Sequence, residues 1–325
     1  MKVLVTDITW PDTRIEDAVL ATVGASTVLA ETGAEDDLVE LVRDADAILT
    51  CFAHVTAPVV AAGERLRVIG RYGVGTDNIA VDEATRRCIP VTNVPVYCTD
   101  EVAEHVLGML LALVRGLARY DRAVREGDWS LATGLPTRRV AGSTLGIVGF
   151  GAIGRTLARK AAALDLHVVA HDHHAERVRA AGAEPVALLE LARRADFVSL
   201  HLPLRDDTRG LVDRDFLAAM KPTAYLLNAA RGAIVDHAAL AEALASGRLA
   251  GAGIDVFEPE RLPPGDPLLA QDRLLATPHT AFYSEESIRD LARLAAENVA
   301  AVLGGRRPAA LVNPQVLAGA RGSFR

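Results

Sequence analysis

The sequence predicts an α/β protein built from two doubly wound parallel sheets, and three observations support this fold class. Short apolar runs alternate with helical patterns along most of the 325 residues, as in parallel sheets that helices cover on both faces. One apolar run is followed by GFGAIG, which has the spacing G-x-G-x-x-G. Aromatic residues make up only 4% of the chain, which favours helix-rich packing over a β-sandwich.

Composition narrows the class of protein further. A chain of 34.4 kDa is long enough for two domains, and its net charge of −7 gives no support to nucleic-acid binding. Cys51, Cys88 and Cys98 form neither a metal-ligand nor a disulfide pattern, and the N-terminus lacks the features of a signal peptide. The longest apolar run, Val106–Val114, is too short to span a bilayer. These features predict a cytoplasmic protein without a membrane partner.

The first part of the chain has the rhythm of a parallel sheet. Its predicted strands are Lys2–Thr6, Thr27–Ala30, Ala47–Cys51, Arg67–Gly70 and Val91–Val94, with helices over segments such as Asp36–Arg43 and Val59–Ala62. The stretch RYGVGTDN follows the fourth strand, where the open end of a sheet presents backbone N–H groups.

A long helix is predicted next, from an N-cap at Thr99 towards Arg125. Its middle is apolar nearly all round, so we expect it to be buried between domains or at a subunit interface. We expect His105 on this helix to be an interior, hydrogen-bonded histidine. A polar loop that contains Trp129 then leads into the glycine motif.

The segment around the glycine motif has the order of elements that dinucleotide binding requires. A strand at Thr144–Val148, the glycines, a helix through Leu164 and a strand at His167–Ala170 follow one another. The glycines permit a tight turn, close approach of backbone N–H groups to a pyrophosphate, and close packing of helix on strand. The pyrophosphate would lie at the helix N-terminus, where the helix dipole favours an anion. The residues expected to bind it are Gly149, Gly151, Ala152, Ile153 and Gly154.

Asp172 ends this unit, where a carboxylate can accept hydrogen bonds from both hydroxyls of the adenosine ribose. Because a carboxylate repels a 2′-phosphate, the predicted cofactor is NAD rather than NADP. The preference for NAD over NADP is less sharp because three histidines lie nearby, His171, His173 and His174. They lack the pairing typical of metal ligands, and we expect them to form a solvated loop beside the adenosine.

The remaining strands are predicted at Phe197–Leu202, Ala224–Leu227, Gly253–Phe257 and Leu274–Ala276. An amphipathic helix, Glu285 to Leu303, follows without a further strand and is expected to return the chain to the first domain. The predicted domains are therefore 1–98 plus 285–325 for substrate binding and 99–284 for NAD binding.

Three polar residues follow late strands, where ligands gather in open α/β sheets: Arg231, Glu260 and His279. An arginine can hold a carboxylate with two hydrogen bonds, and a histidine can donate a proton to a carbonyl oxygen as a hydride reaches its carbon. A neighbouring carboxylate stabilises the charged histidine. Together they predict reversible reduction of a 2-keto acid. Glu258 lies in the same loop and is a rival for Glu260.

With these residues the chain resembles a known family, the D-isomer-specific 2-hydroxyacid dehydrogenases, over essentially its whole length. The matching stretches are GRYGVGTDNI, TNVPVYCTDEVAEHVLGMLLALVR, TLGIVGFGAIGR, LLNAARGAIVDHAAL, AGIDVFEPE and ATPHTAFYS. The resemblance implies a flavodoxin-like substrate domain with an inserted Rossmann NAD-binding domain, and a homodimer formed through the NAD-binding domains.

The resemblance also implies roles for individual residues. It assigns Arg231, Glu260 and His279 to catalysis, with Glu260 identified by its offset from Asp255. Cofactor contacts are implied for Asp255 and Ala229 at the nicotinamide carboxamide and for Thr208 near the adenosine. The backbone N–H groups of Val74 and Gly75 would bind the substrate carboxylate.

Within the family, HTAFYSEES and the C-terminal helix look most like the C-terminal-binding-protein branch, which includes NAD-sensing corepressors as well as enzymes. Phe282 stands where animal members have a pocket tryptophan, and Phe52 looks like the counterpart of a pocket tyrosine. Arg71 matches an arginine near the substrate. Arg261 stands where many relatives have proline, and it is a surface residue or a contact for an acidic substrate tail.

The predicted function is NAD-dependent 2-hydroxyacid dehydrogenase, acting mainly as a 2-keto acid reductase on a small acid substrate. Two alternatives stay open: an NAD(H)-sensing binding protein, and a short phosphoglycerate dehydrogenase. The latter needs a cationic pocket, which Phe52 and Phe282 disfavour. The sequence does not identify the keto acid.

Overall fold

The computed structural model describes residues 1–134 and 136–318. They form two compact units, one of Met1–Tyr97 with the chain from Ser284 onwards, the other of Cys98–Tyr283. Each unit contains one sheet in which all strands are parallel, so the predicted fold class is confirmed. Across the described ranges, no helix has the length and apolar character needed to cross a membrane.

The sheet of the first unit has five strands: β1 (Lys2–Val5), β2 (Ser26–Leu29), β3 (Ala47–Thr50), β4 (Val68–Arg71) and β5 (Val91–Thr92). Its helices are α1 (Arg14–Leu20), α2 (Glu35–Leu41), α3 (Ala57–Ala62), α4 (Val81–Arg86) and, after the second unit, α12 (Glu285–Leu303). The strand order is β2-β1-β3-β4-β5, the flavodoxin-like order. Central strands carry continuous apolar runs because both sheet faces are covered.

The sheet of the second unit has seven strands: β6 (Thr144–Val148), β7 (His167–His171), β8 (Glu184–Pro185), β9 (Phe197–Leu200), β10 (Tyr225–Asn228), β11 (Gly251–Ile254) and β12 (Leu274–Ala276). The helices are α5 (Thr99–Val114), α6 (Leu117–Arg125), α7 (Ala152–Ala162), α8 (Ala175–Ala180), α9 (Leu188–Arg194), α10 (Arg214–Ala219) and α11 (His237–Ala245). The order β12-β11-β10-β9-β6-β7-β8 reverses direction between β6 and β9. Ligands bind at such a switch point in open α/β sheets.

The predicted long helix from Thr99 to Arg125 is wrong in one respect, because it is two helices. Gly116 adopts the left-handed conformation, with φ of 63°, and this ends α5 before α6 begins at Leu117. Thr99 is the first helical residue, and Cys98 occupies the N-cap position instead. The strand at β8 was not predicted, since its two residues, Glu184 and Pro185, form no apolar run.

The last helix, α12, has the predicted bounds. It begins with a capping box in which the Ser284 side chain accepts a hydrogen bond from the backbone of Ser287 and the Ser287 side chain accepts one from the backbone of Ser284. The helix packs against α1 and against β3 and β4 of its own unit. The first unit is therefore completed by a helix that follows the second unit in the sequence.

Candidate functional site

The glycine loop after β6 is shaped by close backbone contacts. Gly149 has φ of 93°, and a Cβ added to it would lie 2.5 Å from the carbonyl oxygen of His201. A Cβ added to Gly154 would lie 2.4 Å from the carbonyl oxygen of Gly149. Neither position accommodates a side chain, so these two glycines are required by the turn and by the packing of α7 on β6.

Gly151 differs, because a Cβ added there would meet nothing within 4 Å. It is the N-cap residue of α7, and within the described chain no side chain caps this helix end. Ala152 and Ile153 are the first two residues of the helix. Open space beside uncapped N–H groups of a helix N-terminus fits a pyrophosphate. The residues present at the loop therefore fit a dinucleotide.

The Asp172 carboxylate lies directly after β7 and touches the glycine loop. One oxygen accepts a hydrogen bond from the backbone N–H of Phe150 at 2.7 Å, and the other accepts one from His174 N–H at 2.8 Å. Burial alone would raise the pKa of Asp172, but these two hydrogen bonds, together with the nearby His174 and His173 side chains, outweigh burial and hold the pKa below the usual value. The side chain is therefore ionised at neutral pH, as discrimination against a 2′-phosphate requires.

The three neighbouring histidines differ in exposure, and the rings of His171 and His173 pack edge-on with centroids 6.5 Å apart. His171 Nδ1 lies 3.1 Å from the carbonyl oxygen of Val186, while His173 and His174 are exposed. In the parts of the chain that the structure describes, no group of three or more His, Cys, Asp or Glu side chains is arranged to hold a metal ion. His173 and His174 lie in the loop after β7, as predicted, whereas the prediction is wrong for His171, which is the half-buried last residue of β7.

Thr208, expected near the adenosine, is buried within its own loop. Its hydroxyl accepts a hydrogen bond from Arg205 N–H at 2.8 Å and donates one to the carbonyl oxygen of Pro203 at 2.7 Å. The hydroxyl thus stabilises the loop after β9.

At the start of that loop, burial lowers the pKa of His201 to about 4, so this imidazole is neutral. Its Nε2 lies 2.8 Å from Ser199 Oγ.

The carboxyl ends of β10, β11 and β12 meet at one edge of the second sheet. Asn228 pairs with Ile254 across β10 and β11, and Ile254 pairs with Ala276 across β11 and β12. The backbone N–H of Asp255 continues the ladder by donating to Asn228 O at 2.9 Å. Three segments that follow these strands, 228–231, 255–260 and 277–281, are therefore neighbours.

The turn that carries Arg231 is braced by the buried side chain of Asn228. The Asn228 amide donates to the carbonyl oxygen of Arg231 at 2.9 Å and accepts from Ala230 N–H at 3.0 Å. A Cβ added to Gly232 would lie 2.1 Å from the backbone of Phe257, so the turn also packs tightly on the β11 segment. Ala229 and Arg231 are half-buried in this turn.

His279 and Glu260 form a direct pair. His279 Nδ1 lies 2.5 Å from Glu260 Oε1, and Glu260, not its rival Glu258, makes this contact. The Phe282 ring packs edge-on against the imidazole, with ring centroids 6.1 Å apart. His279 has φ of 54°, a left-handed conformation that is costly for a residue with a Cβ. The surrounding structure must therefore hold this segment in place.

Asp255 supplies that restraint, and its expected contact with the nicotinamide stays a prediction. One oxygen accepts from Thr277 Oγ1 at 2.6 Å and from Thr280 N–H at 2.8 Å, and the other accepts from Ala281 N–H at 2.9 Å. The side chain has no exposed surface. Its contacts lie on both sides of His279.

The first unit carries the loop at Gly73–Gly75 after β4. Val74 is exposed and Gly75 is half-buried, and within the described residues neither backbone N–H donates to a protein group. The carbonyl oxygen of Val74 accepts a hydrogen bond from the Asn93 side chain at 2.7 Å. Two adjacent N–H groups held in this way can bind an anion.

Arg71 and Phe52 lie beside this loop in the same unit. The Arg71 guanidinium is nearly buried, and it donates to Asn78 Oδ1 at 3.2 Å and to the carbonyl oxygen of Tyr72. In this structure these contacts hold Arg71 against the loop, and its expected role near the substrate stays a prediction. The carboxylate of Asp7, which sequence reasoning missed, accepts from the N–H groups of Cys51 and Phe52 at 3.0 and 2.7 Å. Its position after β1 was the available signal.

Comparison with protein-family models matches residues 107–281 to the NAD binding domain of the D-isomer specific 2-hydroxyacid dehydrogenases. A glyoxylate reductase of Korarchaeum cryptofilum is 40% identical over 286 residues, covering 86% of each chain. A D-3-phosphoglycerate dehydrogenase of Methanocaldococcus jannaschii is 36% identical over 319 residues, covering 96% of this chain and 59% of its own.

Comparison with solved structures also shows similarity over nearly the whole chain. The TT0316 protein from Thermus thermophilus superposes with a TM-score of 0.88 at 36% identity, covering 96% of this chain and 100% of its own. Sequence and fold therefore agree over nearly the whole chain. Neither comparison distinguishes the C-terminal-binding-protein branch from the rest of the family.

Proposed function

Because the chain belongs to the D-isomer specific 2-hydroxyacid dehydrogenase family, we propose that it is an NAD-dependent oxidoreductase that reduces a small 2-keto acid to the 2-hydroxy acid. The observation that carries this proposal is the pair formed by His279 and Glu260. The pair stands at the carboxyl edge of a sheet whose glycine loop fits a dinucleotide. A proton donor at such an edge is what reduction of a carbonyl group needs.

Bound NADH supplies a hydride for C2 of the keto acid, and the protein supplies the proton. Glu260 contacts Nδ1 of His279, so the proton that reaches the carbonyl oxygen is the one on Nε2. The Glu260 carboxylate stabilises the charged imidazole before transfer. Arg231, whose turn is fixed by Asn228, holds the substrate carboxylate and orients C2. In the reverse reaction His279 accepts the hydroxyl proton.

In the first unit, taken by itself, we propose a second anion-binding group. The N–H groups of Val74 and Gly75 have no acceptor among the described residues, and they suit a carboxylate. Phe52 and Phe282 are the proposed apolar contacts of the substrate. These features favour a compact uncharged group at C2, such as that of glyoxylate or hydroxypyruvate, over a phosphorylated one.

The first experiment is an NADH-oxidation screen over glyoxylate, hydroxypyruvate, pyruvate, phenylpyruvate and phosphohydroxypyruvate, repeated with NADPH. We expect turnover with an unphosphorylated acid and NADH, because Asp172 disfavours a 2′-phosphate. A preference for the phosphorylated acid would support the phosphoglycerate dehydrogenase alternative. No turnover on any acid, with NADH bound, would favour a sensing role.

The roles of the site residues are tested on the best acid of that screen. We expect His279→Ala to lower kcat by at least about a hundredfold, the usual contribution of a positioned acid. Arg231→Ala should mainly raise KM. Glu260→Gln should lower kcat, while Glu258→Gln, the matched control two positions away, should leave it unchanged. Wild-type turnover by His279→Ala would rule the mechanism out.

We also propose that the protein is a cytoplasmic homodimer that pairs through the second unit. Its three cysteines are free thiols, which suits a reducing compartment. The second unit exposes several apolar side chains close together in the chain: Leu117, Val124, Trp129 and Leu131. Exposed apolar clusters of this kind commonly mark interfaces.

A further inference from the structure

A chain of hydrogen bonds connects α5 to the segment that carries His279. His105 Nε2 on α5 lies 3.0 Å from Thr277 Oγ1, and Thr277 Oγ1 lies 2.6 Å from Asp255 Oδ1. His105 and Asp255 are themselves 3.7 Å apart. All of these residues belong to the second unit, so the chain is a property of one compact body.

The direction of this chain follows from chemistry. An ionised carboxylate only accepts hydrogen bonds, so the Thr277 hydroxyl must donate its single proton to Asp255. The same hydroxyl then accepts from His105, which requires a proton on His105 Nε2. The tautomer of His105 and the rotamer of Thr277 are both determined by Asp255.

Asp255 also holds the backbone after His279 and the N–H of His279 itself. Its oxygens accept the N–H groups of Thr280 and Ala281, and its own carbonyl oxygen accepts His279 N–H at 2.7 Å. His279 has φ of 54°, which isolated residues with a Cβ rarely adopt. Without these contacts the segment would relax towards ordinary backbone conformations and move the imidazole.

We propose that His105 and Thr277 are positioning residues for His279, which act through Asp255 and touch neither substrate nor cofactor. The proposal rests on the proposed role of His279 as the proton donor. Thr277 fixes one Asp255 oxygen, and His105 fixes Thr277. The chain keeps the His279 imidazole oriented for proton transfer at Nε2 while Glu260 contacts its Nδ1.

Matched substitutions separate the hydrogen bonds from packing. Thr277→Val removes the hydroxyl and keeps the shape, while Thr277→Ser keeps the hydroxyl. His105→Leu removes the donor, while His105→Gln retains an N–H at a similar reach. We expect Thr277→Val and His105→Leu to lower kcat by about tenfold, the lower end for loss of a hydrogen bond to a charged group. The Ser and Gln variants should stay within about threefold of the wild type.

Two further measurements distinguish positioning from general damage. The dissociation constant for NADH, followed by fluorescence, should change less than about twofold, because the glycine loop is elsewhere in the sheet. The double variant Thr277→Val with His105→Leu should be no worse than Thr277→Val alone, since both act through one chain. Additive losses, or equal losses in the Ser and Gln variants, would overturn the proposal.

A readout without turnover keeps this proposal separate from the proposed function. Amide hydrogen exchange at Thr280 and Ala281 should be faster in Thr277→Val and His105→Leu than in the wild type, with exchange in β6 unchanged. If exchange rises but no keto acid is turned over by the wild type, the proposed function fails and the structural chain stands. If turnover requires His279 but neither amide exchange nor kcat changes in the Thr277 and His105 variants, the positioning proposal fails and the proposed function stands.

Discussion

Glu16 shows how one buried carboxyl group can make stability depend on pH. It is fully buried, and Oε1 accepts from Trp10 Nε1 at 3.2 Å and from Tyr72 Oη at 3.0 Å. The described residues provide no partner for Oε2. Burial raises the pKa of Glu16 above its usual value, although hydrogen bonds from its own backbone, Tyr72 and Trp10 offset part of that effect.

The sign of the resulting pH dependence can be predicted. A carboxyl group whose folded pKa is raised stabilises the fold below its unfolded pKa of about 4.3, and this stability is lost as pH rises through the folded pKa. Glu16→Gln keeps an acceptor for Trp10 and Tyr72 without the charge. We compare the melting temperature of the variant minus that of the wild type at each pH. We expect this difference to be larger at pH 8 than at pH 4. An equal difference at both pH values, measured by calorimetry, would show that Glu16 titrates normally.

The glycine loop offers a second residue-scale prediction, because its glycines serve different purposes. A Cβ at Gly154 would lie 2.4 Å from a backbone oxygen, whereas a Cβ at Gly151 would enter open space. Gly154→Ala should therefore destabilise the protein by about 1–3 kcal/mol through overpacking. Gly151→Ala should fold normally and bind NADH at least about tenfold more weakly, since its methyl group would crowd the pyrophosphate. Chemical denaturation and NADH titration of the two variants test these expectations. Equal stability of Gly151→Ala and Gly154→Ala would contradict them.

The acidic residues show which part of a site can be read from a sequence. Asp172, Asp255 and Glu260 all follow strands, and this local position was predictable from the alternation of apolar runs. Their surroundings were not. Asp255 has no exposed surface, while the Glu260 side chain is about half exposed at 49%. Burial depends on segments distant in the chain, so only the structure separates a positioning carboxylate from one beside the proton donor.

At the scale of elements, the long helix predicted from Thr99 to Arg125 shows the limit of periodic patterns. The apolar run of α5 and the amphipathic pattern of α6 each read as helix, and a single glycine between them does not interrupt either pattern. Gly116 nonetheless adopts φ of 63° and separates the two helices. Most strand ends were predicted more closely, because apolar runs stop where the chain leaves the sheet. The exception is β11, which was predicted to end at Phe257 and ends at Ile254.

This break can be tested by substitution. Gly116→Ala should destabilise the second unit by about 1–2 kcal/mol, the cost of a left-handed conformation for a residue with a Cβ. Asn tolerates that conformation, so Gly116→Asn is the matched control and should cost less. Chemical denaturation gives both values. A stabilised Gly116→Ala would mean that α5 and α6 form one continuous helix in solution.

At the scale of the whole molecule, the chain forms its first sheet, leaves it for a second one, and returns through α12. The alternation of strands and helices predicted both sheets, but it carries no information on contacts between distant positions. His105 and Thr277 are 172 positions apart, and neither belongs to a motif with the other. Their hydrogen bond follows from strand order and from the packing of α5 on β10 and β11, which a single sequence does not specify.

The exposed apolar side chains of the second unit lead to a prediction about assembly. Trp129 and Leu131 are 80% and 88% exposed, and exposed apolar patches commonly mark interaction sites. The second unit also has an apolar groove lined by Leu113, Tyr225 and Leu275. We propose that a second copy of the chain covers these surfaces, because a two-fold interface presents the same patch from both partners.

The mass of the protein in solution tests this proposal. We expect a dimer by light scattering, and a monomer at micromolar concentration for the variant Trp129→Ser with Leu131→Ser, because loss of apolar anchors of this size weakens association by about a hundredfold or more. Leu29→Ser is the matched control, since Leu29 is an exposed leucine of the first unit. It should remain dimeric. A monomeric wild type, or a double variant that stays dimeric, would place the interface elsewhere or remove it altogether.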